Sequence, residues 1–501
     1  MAATTVGLLL DRIIANFSTE KASLWTSIML GLMVLILLAC LISWQGTCTG
    51  GLPEPPFSKG WPLIGETIHF AFLENTADFV RRRVERHGGL FRTNLFLKNQ
   101  VMVIKPDLLK IMLTDPQRLL ESNLPSFAQM LLGKDAVTAL QGKAHSTMYA
   151  LFMRSMSTRF HENWIAGFDE VIKRTVDSWK GRTMNCYGEG SKLFANTAFV
   201  YMFGTFNSDN ELAQKLTQWN REIGRGLMSL GLYIPGTGYI QGLKARKNID
   251  QFLEERVEVL LKQREGGLKR QFPSSLEFLL DSYRAEAGRE LNPNDRNLII
   301  GVRNFFIPIF DQIEVAGILF AWIMKYLSDF PDILQKVKAE QDEIAISKNE
   351  PDYKLTLEDL EKMKYSYQFL QETHRKASLI GSLLRTVGKD FEYEGFTIRK
   401  GTVLHAALRY FHYNPDYFPN PNKFDPSRFE DPANVKPHTF TPFGFGNRGC
   451  LGKTVIAKQC LIIIHYVTTR LRWTALDPAA PEKCNPIAHI KGGYPVQMFE
   501  N

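Results

Sequence analysis

The longest uninterrupted apolar run lies near the N-terminus, where residues 22–44 read ASLWTSIMLGLMVLILLACLISW without a single charge. About 20 such residues in a helix cross a hydrocarbon core of about 30 Å. Trp25 and Trp44 stand near its ends, where interfacial aromatics belong. A cleaved signal sequence would carry a shorter apolar region, of about 7–15 residues, and a small-residue cleavage site. The run therefore predicts a retained single-pass anchor, preceded by a short segment over 1–21. Asp11, Arg12, Glu20 and Lys21 cancel, so charge specifies its orientation poorly. Gly50, Gly51, Pro53, Pro55 and Pro56 then predict a stiff, extended hinge over 45–59. The main body, 60–501, opens with GWPLIGET at 60–67.

A second apolar stretch spans 295–330 but contains Arg303, Asp311, Glu314 and Lys325. Charges at bilayer depth are costly, so this stretch predicts a buried central helix, kinked or interrupted at Pro308. Over 254–264 the spacing of Val257, Leu260 and Leu261 gives one apolar face, hence another helix. Helices are also predicted over 331–346 and 356–376, the latter with Thr356 as N-cap, and over 450–472. Residues 391–398 alternate around a glycine and predict a short hairpin. The Pro-, Asn- and Asp-rich stretch 411–436 predicts a long irregular loop, a feature uncommon unless it serves function. The sum is a mainly α chain with a minor β region.

Composition changes this picture little. The chain has 501 residues, 45% of them hydrophobic, and neither repeats nor low-complexity tracts divide the body. One large domain is as compatible with this as several. The net charge of +8 is spread along the chain, without the basic stripe of a nucleic-acid binder. Six cysteines with no CxxC or Cys/His zinc spacing argue against a disulfide framework and suit a reducing compartment.

The chemistry concentrates in Phe443-Gly444-Phe445-Gly446-Asn447-Arg448-Gly449-Cys450-Leu451-Gly452. Glycines let a backbone turn tightly and approach a flat ligand. A helix starting at Cys450 would present backbone donors to its sulfur, and Arg448 could meet a carboxylate. These are the needs of a thiolate ligand to haem iron with propionates nearby. Cys460 and Cys484 read as small buried hydrophobes.

This loop resembles the haem-binding loop of the cytochrome P450 family, and the resemblance extends from about residue 52 to the end. Glu372-Thr373-His374-Arg375 is similar to that family's Glu-x-x-Arg helix, and Phe424 to Phe429 to its Pro-x-Arg-Phe meander. The resemblance implies the cytochrome P450 fold behind an N-terminal transmembrane helix. It implies a buried triad of Glu372, Arg375 and Arg428. It further implies haem b bound by Cys450, with Phe443, Gly444 and Gly452 in the cradle and Arg385, Arg448 and His145 at the propionates. GWPLIGET and PSRFEDP resemble the branch containing plant brassinosteroid and taxane oxidases and animal retinoic acid hydroxylases.

Three departures stand out. Where the family has an Ala/Gly-Gly-x-Asp/Glu-Thr-Thr oxygen groove, this chain has Asp311-Gln312-Ile313-Glu314-Val315-Ala316, with valine replacing the usual threonine. Proton delivery then falls to Glu314 and Gln312, to water or to substrate. A shifted register would instead put Ala316-Gly317 at the groove. Lys376-Ala377-Ser378 follows the Glu-x-x-Arg motif in place of a Pro-Pro pair, and Tyr149 stands where an arginine is expected four residues after His145.

The implied protein is a membrane-bound monooxygenase of a hydrophobic isoprenoid in the endoplasmic reticulum membrane, its catalytic domain facing the cytosol. Its electrons would come from NADPH-cytochrome P450 reductase, because no nucleotide-binding loop or flavin domain is present. Val315 raises an alternative, a redox-neutral haem-thiolate isomerase or dehydratase. A second alternative is a non-catalytic haem-binding protein.

Overall fold

The computed structural model describes residues 52–501 except 62–63, 116, 118, 123, 157, 205–209, 230, 232, 266–273, 289–295, 351 and 485–486, together with Gly31. The anchor predicted over 22–44, apart from Gly31, lies outside the described residues. Pro53 to Ser58 do not stand off as a spacer. Pro56 and Ser58 hydrogen-bond Arg92 through their backbones, each at 2.7 Å, and the Pro53 carbonyl accepts from Thr397 N.

The helices are α1 (Thr76–His87), α2 (Pro106–Thr114), α3 (Ser126–Leu132), α4 (Gly142–Ser155) and α5 (Thr158–Asp177). Next come α6 (Cys186–Phe203), α7 (Asn210–Met228), α8 (Gly238–Glu265), α9 (Ser275–Ala287) and α10 (Arg296–Asp329). The last are α11 (Pro331–Ser347), α12 (Leu357–Lys362), α13 (Lys364–Ala377), α14 (Leu408–His412) and α15 (Lys453–Arg470). A five-stranded sheet has the order β1-β2-β8-β5-β3, from β1 (Arg92–Leu95), β2 (Lys98–Val103), β3 (Leu120–Ser122), β5 (Ser382–Val387) and β8 (Val403–Ala407). Strand β4 (Thr183–Asn185) joins β9 (Leu471–Ala475) and β12 (Pro495–Glu500). Two small pairs complete the strands: β6 (Phe391–Tyr393) with β7 (Phe396–Ile398), the predicted hairpin, and β10 (Glu482–Lys483) with β11 (His489–Ile490).

The largest hydrophobic cluster surrounds α10, whose Phe305, Phe306, Phe310, Phe320 and Trp322 are all buried. Phe305 stacks on Phe152 of α4 with ring centroids 4.0 Å apart. Two of the charges on α10 are matched within the protein: Arg303 pairs with Glu254, and Lys325 Nζ lies 2.9 Å from Asp329. Pro308 does not interrupt the helix, which runs through it. Its missing N–H leaves the Asn304 carbonyl without the usual helical donor.

α10 also lies close against α6. A Cβ on Gly317 would fall 2.8 Å from the Ser191 backbone nitrogen and 3.0 Å from its Cα. Gly317 therefore serves helix–helix contact.

Other boundaries need correction. The helix expected over 356–376 is two, α12 and α13, joined at Met363; Thr356 caps the first in a capping box with Asp359. The helix expected from Cys450 begins at Lys453, because Cys450 to Gly452 form a turn that leads into it. Cys460 is fully buried, whereas Cys484 is only half-buried.

Overpacked core positions typically cost about 1–3 kcal/mol. Gly317→Val should therefore lower the free energy of unfolding, read from a urea titration, by about 1–3 kcal/mol, with Ala316→Val as a comparison on the same helix. A Gly317→Val protein as stable as wild type would refute the close α6–α10 contact.

Candidate functional site

Glu372 and Arg375 lie one helical turn apart on α13 with no solvent exposure. Arg375 Nε donates to Glu372 Oε2 and Nη2 to Oε1, both at 2.7 Å. The pair is further satisfied by the His412 carbonyl, which accepts from Arg375 Nη1, and by Asp425 N, which donates to Glu372 Oε1. Arg428 Nε stands 3.6 Å from Glu372 Oε1, while its other nitrogens donate to the Pro419 and Asn420 carbonyls. Such saturation is what a buried ion pair requires. Ser378, which stands in place of a proline pair, ends α13 in the left-handed region at φ 43°. Its hydroxyl bridges the Arg375 carbonyl and His412 Nδ1.

The irregular chain so held leads into the cysteine loop. Cys450 N donates to the Phe443 carbonyl at 2.8 Å, closing the loop. Gly446 has φ +70°, and a Cβ there would lie 2.5 Å from the Leu113 carbonyl oxygen, so glycine is required. Gly452, Cys450, Arg448, Arg385 and His145 all line one cavity of about 400 Å³. Pro308, Ile309 and Gln312 of α10 form part of its wall. Phe443 and Gly444 face another pocket, where the Phe443 ring meets His374 edge-on at 4.7 Å.

Cations dominate the electrostatics of this cavity, with the Asp115 carboxylate acting against them from nearby. Arg385 donates to the Leu384 carbonyl and Arg448 to the Leu140 carbonyl, but neither forms an ion pair among the described residues. Burial and the neighbouring Arg448 hold Arg385 down at about 10. Burial and the two guanidiniums push His145 down to about 4, leaving it neutral at pH 7. Burial raises the Cys450 thiol, opposed by the backbone N–H groups of Gly452 and Lys453 and by the Lys453 charge. Two unpaired cations at one wall and a sulfur at another fit a flat, metal-bearing, dianionic group such as haem. Tyr149, which no local motif marks, also lines this cavity, with its hydroxyl 3.5 Å from the Gly449 carbonyl.

Glu314 is elsewhere. Two residues along a helix turn a side chain by about 200°, so Gln312 and Glu314 point apart. Glu314 and Val315 line a second cavity of about 1010 Å³ between α7, α10 and residues 487–493. Only Gln312 reaches the Cys450 cavity, and its Oε1 would be 2.6 Å from a Cβ on Gly452.

Comparison with known proteins agrees with this reading. The cytochrome P450 family profile matches residues 55–487. Abscisic acid 8'-hydroxylase 1 of Arabidopsis thaliana is 30% identical over 96% of this chain and 98% of its own length. An abscisic acid 8'-hydroxylase of Solanum lycopersicum is 30% identical over 89% of this chain and 91% of its own. A cyanobacterial cytochrome P450 solved with retinoic acid bound superposes with a TM-score of 0.76 at 23% identity, over 90% of this chain and all of the other. The chain belongs to the cytochrome P450 family. It is an oxidoreductase of the monooxygenase type whose cofactor is haem iron held by a thiolate.

Charge-assisted hydrogen bonds are worth about 1.5–3 kcal/mol each. Arg385→Leu and Arg448→Leu should each speed haem transfer to apomyoglobin by about tenfold or more, and the double variant further still. Unchanged transfer would show that the two guanidiniums face something other than the propionates. Separately, Glu372→Ala should cost about 3–5 kcal/mol by leaving Arg375 buried and unpaired. That loss would be read as a lower yield of folded protein, and a normal yield would contradict it.

Proposed function

We propose that this protein is a membrane-bound haem-thiolate monooxygenase that oxidises a hydrophobic isoprenoid with electrons from NADPH-cytochrome P450 reductase. The observation that carries this reading is the meeting of Cys450 with two unpaired arginines in one cavity walled by α10. Cys450 would hold the iron, and Arg385, Arg448 and His145 would take the propionates. Haem bound there supplies dioxygen activation. Gln312 presents an amide on the α10 wall, able to hold the water that passes protons where the usual threonine is missing. The isoprenoid assignment is supported by the relatives' names, which carry abscisic acid and retinoic acid.

Membrane association is supported by the apolar run 22–44 and by an apolar surface on the body. Trp61, Phe72, Leu73, Phe96 and Leu97 are each more than half exposed. The last two form the β1–β2 turn, tied to the Phe72 segment by the Thr67 hydroxyl, which accepts from Phe96 N at 2.8 Å. Large exposed apolar side chains gathered at one place mark a membrane or partner surface. A cytosol-facing domain on the endoplasmic reticulum would place this surface against the bilayer. Lys453, beside Cys450, and Lys143, three residues after the Leu140 carbonyl that accepts from Arg448, are exposed and suit an acidic electron donor.

The test is turnover of an isoprenoid panel by the full chain with reductase, NADPH and oxygen. A product one oxygen atom heavier, dependent on all three, is the expected result. Product formed without NADPH and reductase would favour the redox-neutral alternative instead. In the same assay Gln312→Ala should lower product per NADPH consumed by about tenfold. Unchanged coupling would remove Gln312 from proton delivery.

A further inference from the structure

The second cavity contains an unsatisfied pair. Glu314 Oε1 is buried and has no hydrogen-bond partner. Arg221 of α7 faces it with Nε 3.5 Å away, inside ion-pair range but without a hydrogen bond. The Arg221 guanidinium also lies over the Tyr187 ring at 5.4 Å. Burial raises the Glu314 carboxyl to about 7, the cost of an acceptor that nothing satisfies. The wall around the pair combines Ile223, Val315, Ile318 and Ile490 with the polar Asn220, Ser229, Arg225 and His489.

A donor and an orphan acceptor 3.5 Å apart can both reach one oxygen atom placed at ordinary hydrogen-bond distance from each. At pH 8 the Glu314 carboxyl is ionised, and that oxygen then accepts from Arg221 and donates to Glu314. A hydroxyl does both, whereas an ether or ketone only accepts, and a carboxylate would repel ionised Glu314. Resting on the monooxygenase reading, we propose that Arg221 and Glu314 form a binding site for a hydroxyl group of the isoprenoid substrate, anchoring it away from the carbon that is oxidised. Glu314 is then a specificity-determining residue of the second cavity. Arg225, exposed on the same wall and without an ion pair among the described residues, is what a competing anion site would use.

The test is equilibrium dialysis of the full chain in detergent at pH 8 against farnesol, farnesyl methyl ether and farnesoic acid. Farnesol should bind about tenfold tighter than the ether, which keeps the acceptor and loses the donor. Glu314→Ala should bring farnesol to the affinity of the ether while leaving the ether unchanged, and Glu314→Gln, which keeps an acceptor, should retain most of the preference. Arg221→Leu should weaken both ligands. Equal binding of farnesol and ether to the wild type would overturn the proposal, as would equal weakening of both by Glu314→Ala. Tighter binding of farnesoic acid, abolished by Arg225→Gln, would reassign the cavity to an anion. Failure of the haem reading would appear separately, as a wild-type chain without a thiolate-type carbon monoxide spectrum, and the dialysis result would still stand.

Discussion

The structure depends on the buried ion pair between Glu372 and Arg375. Two charges removed from water are costly unless every lone pair and proton is satisfied. Here the partners come from far along the chain: the His412 carbonyl, the Lys423 carbonyl and the Asp425 amide. The segment from His412 to Gly452 forms no strand and contains only short helical turns. Its place is set by these contacts and by Ser378, which joins α13 to His412. The pair thus converts an irregular stretch into a fixed support for the cysteine loop.

What the support holds is an imbalance. Arg385 on β5 and Arg448 on the loop bring two cations to one cavity without an ion pair among the described residues, and burial together with their charge depresses His145. A protein built this way is incomplete until an anion enters. The opposite wall is α10, whose rotation is set by its approach to α6 at Gly317 and Ser191. That rotation decides which side chains see the iron site and which see the second cavity.

Much of this was legible in the sequence because it is local. The loop glycines, the Glu-x-x-Arg turn, the Thr356 cap and the β6–β7 hairpin each depend on residues a few positions apart. The start of α15 was misplaced because Cys450 to Gly452 turn toward the cavity before the helix begins, and no residue type there forbids an earlier start. The roles of Gln312 and Glu314 could not be separated from spacing alone, because helical phase against a cavity is a tertiary property. Arg221 carried no signal at all: its partner is on another helix, and α7 by itself is an ordinary amphipathic segment. Tyr149 was visible only as the absence of an expected arginine, and its contact with Gly449 is likewise tertiary.

The central claim is that Cys450 is the iron ligand at the floor of the arginine-lined cavity. It is tested most directly by the absorption spectrum of the reduced, carbon monoxide-treated full chain, wild type against Cys450→Ala. The account predicts the red-shifted Soret band of thiolate ligation in the wild type and its complete loss in the variant. Retention of that band without Cys450 would contradict it.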